Sequence, residues 1–152
     1  MSRRDLIRMT DEEVHAFLDG RHTMNVATIG PDGQPHLVAM WYGFLDGSPA
    51  FWTYGKSQKV VNLRRDPRIT CLVETGEAYH ELRGVEIVGR ATVLDDRESV
   101  LAVGRSVHER YTGPFEGTAL PALEQMGAKR VAVRIDVARV VSWDHAKLVG
   151  TY

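Results

Sequence analysis

The chain has a single cysteine, Cys71, which excludes an internal disulfide and any cysteine-cluster metal site. That cysteine sits inside the apolar run Ile69-Thr70-Cys71-Leu72-Val73 and reads as a small core residue. Long hydrophobic runs are missing too: nothing approaches the roughly 18 consecutive apolar residues of a membrane span. The opening Met1-Ser2-Arg3-Arg4-Asp5 lacks the apolar stretch of a signal peptide, so the cytoplasm is the expected compartment. Neither sign of charge dominates. With 19 Lys and Arg against 20 Asp and Glu, the net charge of -1 offers no global attraction to nucleic acid or to an anionic membrane. No Gly-x-Ser-x-Gly elbow is present, and nucleophilic catalysis has no support. The six histidines contain no His-x3-His pair, so no metal site is expected.

What is present is an ordinary globular composition, 43% apolar and 26% charged, over 152 residues, enough for one domain with a real core. No repeat or Pro/Gly/Ser linker divides it, and residues 1–152 read as one domain. Thr10-Asp11-Glu12-Glu13 is a capping box that starts a short helix with Val14, Phe17 and Leu18 on one face. His22 to Ile29 reads as a strand with Met24, Val26 and Thr28 on one side. Gly30-Pro31-Asp32-Gly33 is a turn. Pro35 to Phe44 and Ala50 to Tyr54 follow as strands, and the spacing predicts an antiparallel meander over residues 22–54.

Further along, Lys59 to Arg65 reads as a short helix closed by Asp66-Pro67. Strands are expected over Arg68 to Glu74, Val85 to Leu94 and Val131 to Trp143. In the last, Val131, Val133, Ile135 and Val137 share a face. A helix capped by Asp95 or Asp96 runs to about Tyr111, and a shorter one spans Leu120 to Met126. About six strands with few helices point to a mainly β, α+β chain, a closed or nearly closed antiparallel barrel.

The segment Tyr54-Gly55-Lys56-Ser57-Gln58-Lys59 carries the chemistry. A strand ends in a loop with two lysines, a serine and a glycine, and a helix begins directly after it. Free N–H groups at a helix N-terminus bind anions, Ser57 adds a hydroxyl and Lys59 a full charge. These are parts of a phosphate site, though the Gly-x4-Gly-Lys spacing of a Walker loop is absent. The alternative is a solvated basic loop before an amphipathic turn.

From Val26 to about Leu94 the sequence resembles the pyridoxamine 5′-phosphate oxidase-like superfamily of flavin and deazaflavin oxidoreductases. The likeness rests on Ala27-Thr28-Ile29-Gly30-Pro31-Asp32-Gly33-Gln34-Pro35-His36, on Ser57-x-Lys59-x-x-Asn62-Leu63-Arg64-Arg65-Asp66-Pro67-Arg68, and on Val88-Gly89-Arg90-Ala91. The closing strand also fits in place and length. The resemblance implies a split β-barrel and a homodimer with cofactors between the subunits. It implies that Lys59 meets the cofactor phosphate and that Thr53, Tyr54, Lys56, Ser57 and Gln58 line that site. By the same resemblance Asn62 lies on the adjoining helix, and Ala39, Met40 and Trp41 run along the cofactor ring. Arg64 or Arg68 either pairs with the phosphate or decorates the helix and the next strand. Tyr54 and His36 are the candidate proton donors.

The cofactors implied are FMN and the deazaflavin coenzyme F420. The Asn62 to Arg68 block looks more like the deazaflavin-using branch, and the cations around Lys59 exceed what one FMN phosphate requires. The chain lacks the arginine-rich C-terminal motif of true pyridoxamine-phosphate oxidases, and its tail runs Trp143-Asp144-His145-Ala146-Lys147-Leu148-Val149-Gly150-Thr151-Tyr152. Pyridoxamine phosphate is therefore not the expected substrate. Two functions fit: a reductase passing hydride to an electron-poor double bond of a small molecule, or a non-catalytic module that binds a flavin, a deazaflavin or haem.

Overall fold

The computed structural model describes residues 1–148; the final Val149-Gly150-Thr151-Tyr152 of the tail lies outside the described residues. Two short helices come first, α1 (Arg3–Ile7) and α2 (Asp11–Asp19). Both start with a reciprocal capping box, and the Thr10–Glu13 pair is the one read from the sequence. Seven strands follow, β1 (Met24–Ile29), β2 (Pro35–Met40), β3 (Gly43–Leu45), β4 (Ser48–Tyr54), β5 (Arg68–Thr75), β6 (Arg83–Leu94) and β7 (Arg130–Asp144). Three helices interrupt them, α3 (Gln58–Arg65), α4 (Arg97–Tyr111) and α5 (Leu120–Gly127). Among the described residues no helix is long and apolar enough to cross a membrane.

All strands lie in one antiparallel sheet of order β2-β1-β5-β6-β7-β4-β3. The sheet curls into a split barrel, in agreement with the expected fold. The expected meander over residues 22–54 is not formed. β1 pairs with β2 and β3 with β4, but β2 and β3 are opposite edges of the sheet. The strand expected from Pro35 to Phe44 is broken at Trp41-Tyr42, which raises the strand count to seven. The reason is Tyr42. Its ring is fully buried and its hydroxyl donates to the Leu18 carbonyl at 2.6 Å, pinning the corner where the chain crosses from one edge to the other.

Alternate residues fill the barrel: Met24 and Val26 of β1, Ile69, Cys71 and Val73 of β5, Val85 and Ile87 of β6, and Val131, Val133 and Ile135 of β7. A second apolar layer covers the outer face of β4 and β7. There Ala50, Trp52 and Ala132 pack under Val100, Val103 and Val107 of α4 and Leu123 of α5. Val137 does not continue the inward row, because it is 44% exposed. The β6–β7 register shifts between Val88 and Gly89, and the extra residue on β7 bends the strand and breaks its alternation.

Candidate cofactor site

The two faces of the end of β4 have different fates. Thr53 points into the barrel and is buried, while Trp52 and Tyr54 point outward. The chain then turns, with the Ser57 amide donating to the Tyr54 carbonyl at 3.0 Å, and α3 begins. Ser57 is the N-cap, but its side chain makes no capping bond. Its Oγ is buried and has no hydrogen-bond partner among the described residues. The amides of Val60 and Val61 both reach back to the Ser57 carbonyl at 3.1 Å, whereas those of Gln58 and Lys59 precede the first intrahelical bond. Lys59 folds inward and its Nζ donates to Thr53 Oγ1 at 3.0 Å. Its half-burial pulls the ammonium pKa below the usual lysine value, since desolvation disfavours the charged form. The first turn of α3 thus carries a partly desolvated ammonium and an unpartnered buried hydroxyl beside its free amides. Those donors suit an anion of phosphate type.

The remaining α3 residues serve the scaffold. Asn62 is fully buried; its Nδ2 donates to Thr28 Oγ1 at 3.0 Å and its Oδ1 accepts from Gln58 Nε2 at 2.8 Å. It ties α3 to β1 and presents no surface. Arg64 lies in the last turn and reaches Asp95 at 3.9 Å. Arg65 donates to the Ile29 carbonyl, and Arg68 pairs with Asp66 at 2.6 Å. Three of the cations that the sequence clusters near Lys59 therefore have partners within the chain. Lys56, Tyr54 and Gln58 are exposed around the loop. His36 faces Thr28 across the β1–β2 ladder, on the half-buried side of β2, and its Nδ1 is buried without a partner among the described residues.

Ala39, Met40 and Trp41 lie elsewhere, where they help line a cavity of about 370 Å³, and Met40 also packs against the barrel core. Trp52, Val107, Leu123 and Met126 supply more of its apolar wall, and His108 and Arg130 are its ionisable groups. Trp41 stacks flat on Tyr111 with centroids 4.6 Å apart. The Arg130 guanidinium rests 4.7 Å from the centroids of both Trp52 and Tyr54. Arg130 and His108 are not among the residues that the sequence points to. Arg130 stands at the start of β7 and meets Tyr54 only through the β4–β7 register, which nothing local encodes.

Comparison with known proteins agrees with this architecture. Residues 10–144 match the family model of pyridoxamine 5′-phosphate oxidase. The chain belongs to that family. An F420H(2)-dependent biliverdin reductase of Mycobacterium tuberculosis is 28% identical over 136 residues, 88% of each chain. A pyridoxine/pyridoxamine 5′-phosphate oxidase of Cupriavidus taiwanensis is 31% identical over 93 residues, 60% of this chain and 42% of that one. Among solved structures, a conserved hypothetical protein from Mycobacterium tuberculosis superimposes with a TM-score of 0.93 at 49% identity, covering 98% of this chain and 93% of the other.

Proposed function

We propose that this member of the pyridoxamine 5′-phosphate oxidase family is an F420-dependent reductase acting on a small organic molecule with an electron-poor C=C or C=N bond. The observation that carries the reading is the unpartnered, buried Ser57 hydroxyl beside Lys59 at the N-terminus of α3. In this reading Ser57, Lys59 and the α3 amides hold the cofactor phosphate, and the edge Ala39-Met40-Trp41 lies along its ring. The deazaflavin, when bound, supplies the hydride. The likeness to a reductase that uses reduced F420, over 88% of both chains, favours this cofactor over FMN. The protein contributes binding, a fixed ring face and exclusion of water. Tyr54 is exposed at the strand end and His36 is half-buried on the inner side; they are the proposed proton donors, with solvent as the third source.

The working unit in this reading is a homodimer. Leu37 and Trp41 at 66% and 56% exposure, and Val137 and Val140 at 44% and 41%, leave apolar strand surface uncovered. An isologous two-fold contact covers such a surface. Sedimentation at micromolar concentration is expected to show a dimer. A species of 17.0 kDa alone overturns the interfacial site.

The decisive measurement is a side-by-side titration with F420 and FMN at low and high salt. F420 is expected to bind more tightly, with a preference that shrinks as salt screens exposed Lys56. Lys59→Ala removes a charge-assisted contact of about 1.5–3 kcal/mol, roughly a tenfold to hundredfold loss of affinity. Reduced F420 is then expected to be consumed only when an enone is added. Tighter FMN binding throughout transfers the site to FMN, and bound cofactor that no acceptor reoxidises makes the protein a binding module.

A further inference from the structure

The cavity between β2, α4 and α5 has a construction that the phosphate site does not explain. Trp52 is 6% exposed and lies against α4 at Gly104, where an added Cβ would stand 2.5 Å from its ring. Glycine there lets the indole lie flat against the helix backbone. Trp41 adds a second aromatic plane at the rim, held parallel to Tyr111. Between apolar walls sits one guanidinium. Arg130 is held by two aromatic faces, Trp52 and Tyr54, which attract its charge but satisfy none of its N–H groups in-plane. Among the described residues its Nε is buried with no hydrogen-bond partner, and no ion pair uses it. Strand parity separates it from the phosphate donors, because Thr53, which Lys59 bonds, faces the inner side of β4, and Trp52 and Tyr54, which flank Arg130, face the outer.

We propose that this cavity binds flat, apolar carboxylates, with Arg130 pairing to the carboxylate and the two tryptophans flanking the ring system. A guanidinium held by aromatic faces is preorganised for two parallel hydrogen bonds to a carboxylate, which an uncharged ligand of the same shape cannot accept with equal strength. The cavity, about 370 Å³, falls in the size range of small-molecule sites. The proposal rests on the reductase reading only in taking this carboxylate as the hydride acceptor; the binding itself needs no cofactor.

Calorimetric titration of the full chain with naphthoate and with naphthalenemethanol, its neutral counterpart, tests it. Naphthoate is expected to bind more tightly than the alcohol. Arg130→Gln is expected to weaken naphthoate about tenfold or more and leave the alcohol unchanged. Arg130→Lys, which keeps the charge but loses the fork, is expected to fall between. Thr112→Trp, at an exposed position of the cavity wall, should abolish both. Lys59→Ala should leave naphthoate affinity as it was, while weakening F420. Thermal melts check that each variant is folded. Equal affinity for acid and alcohol, an Arg130→Gln protein that binds naphthoate like the parent, or a matching loss in Lys59→Ala overturns the proposal. A failed F420 titration with these results intact would instead remove the reductase reading and leave the carboxylate site standing.

Discussion

Asn62 offers the sharpest test of how α3 is held. Its amide is fully buried and bridges Thr28 Oγ1 at 3.0 Å to Gln58 Nε2 at 2.8 Å. Asn62→Ala deletes both bonds. The Gln58 side is exposed and its amide turns to water, so that loss costs little. The Thr28 side is 1% exposed, and its hydroxyl is left without its partner inside the barrel. A buried orphan of that kind costs about 1–3 kcal/mol. The expected total is about 2 kcal/mol, which lowers the melting temperature by roughly 4–8 °C in a domain of this size. Thr28→Val should cost a similar amount by orphaning the Asn62 amide. The double variant Asn62→Ala/Thr28→Val leaves no orphan, so it should be less destabilised than the sum of the singles by about 1 kcal/mol or more. Calorimetric or circular-dichroism melts measure all three. A single variant that melts within a degree of the parent, or strictly additive singles, refutes the idea that this bond braces the helix under the phosphate site.

Gly104→Ala sets a gain of about 1 kcal/mol in helix propensity against about 1–3 kcal/mol of crowding onto Trp52, so net destabilisation of up to about 2 kcal/mol is expected. The clash should ease when Trp52 is also replaced by Phe, and a Gly104→Ala protein that gains the full propensity term would show that the indole yields freely. In acid, the Arg68 side chain bonded to Asp66 holds that carboxyl down at about 2, below its ordinary 3.8. The pairing therefore stabilises the fold fully above the ordinary value and is lost as pH falls through about 2. Asp66→Asn should flatten stability across that window, and an unchanged acid limb contradicts it. Burial depresses the Lys59 pKa, so the unfolded chain holds that proton more tightly and the empty protein gains stability as pH rises through the lowered value toward 10.5; Lys59→Met should remove the slope in alkaline melts. Burial also pushes the Cys71 thiol up to about 12, so an aromatic disulfide reagent should react only on unfolding, and rapid labelling of the native protein would contradict the packing.

Local chemistry determined a good part of this protein. The Thr10–Glu13 box, the inward row of β1, that of β7 as far as Ile135, and the Ser57 to Arg68 block are readable because caps, alternation and motif spacing involve residues close in sequence. That block, together with the Ala27 to His36 and Val88 to Ala91 stretches, also pointed to the family, which the match over residues 10–144 agrees with. Tertiary structure decided the rest. Tyr42 looks like any strand aromatic until its hydroxyl is seen to anchor the corner that sends β2 and β3 to opposite edges. Asn62 looks like a ligand-facing residue until the curl of the sheet turns it toward Thr28. The arginines after Lys59 look like surplus charge until Asp95, the Ile29 carbonyl and Asp66 engage them. Arg130 lies far along the chain from Trp52 and Tyr54, and only the pairing of β4 with β7 stacks it on them. Periodicity tells which face a residue takes, but which strands become neighbours depends on closing a curled sheet, and that closure is a property of the whole chain.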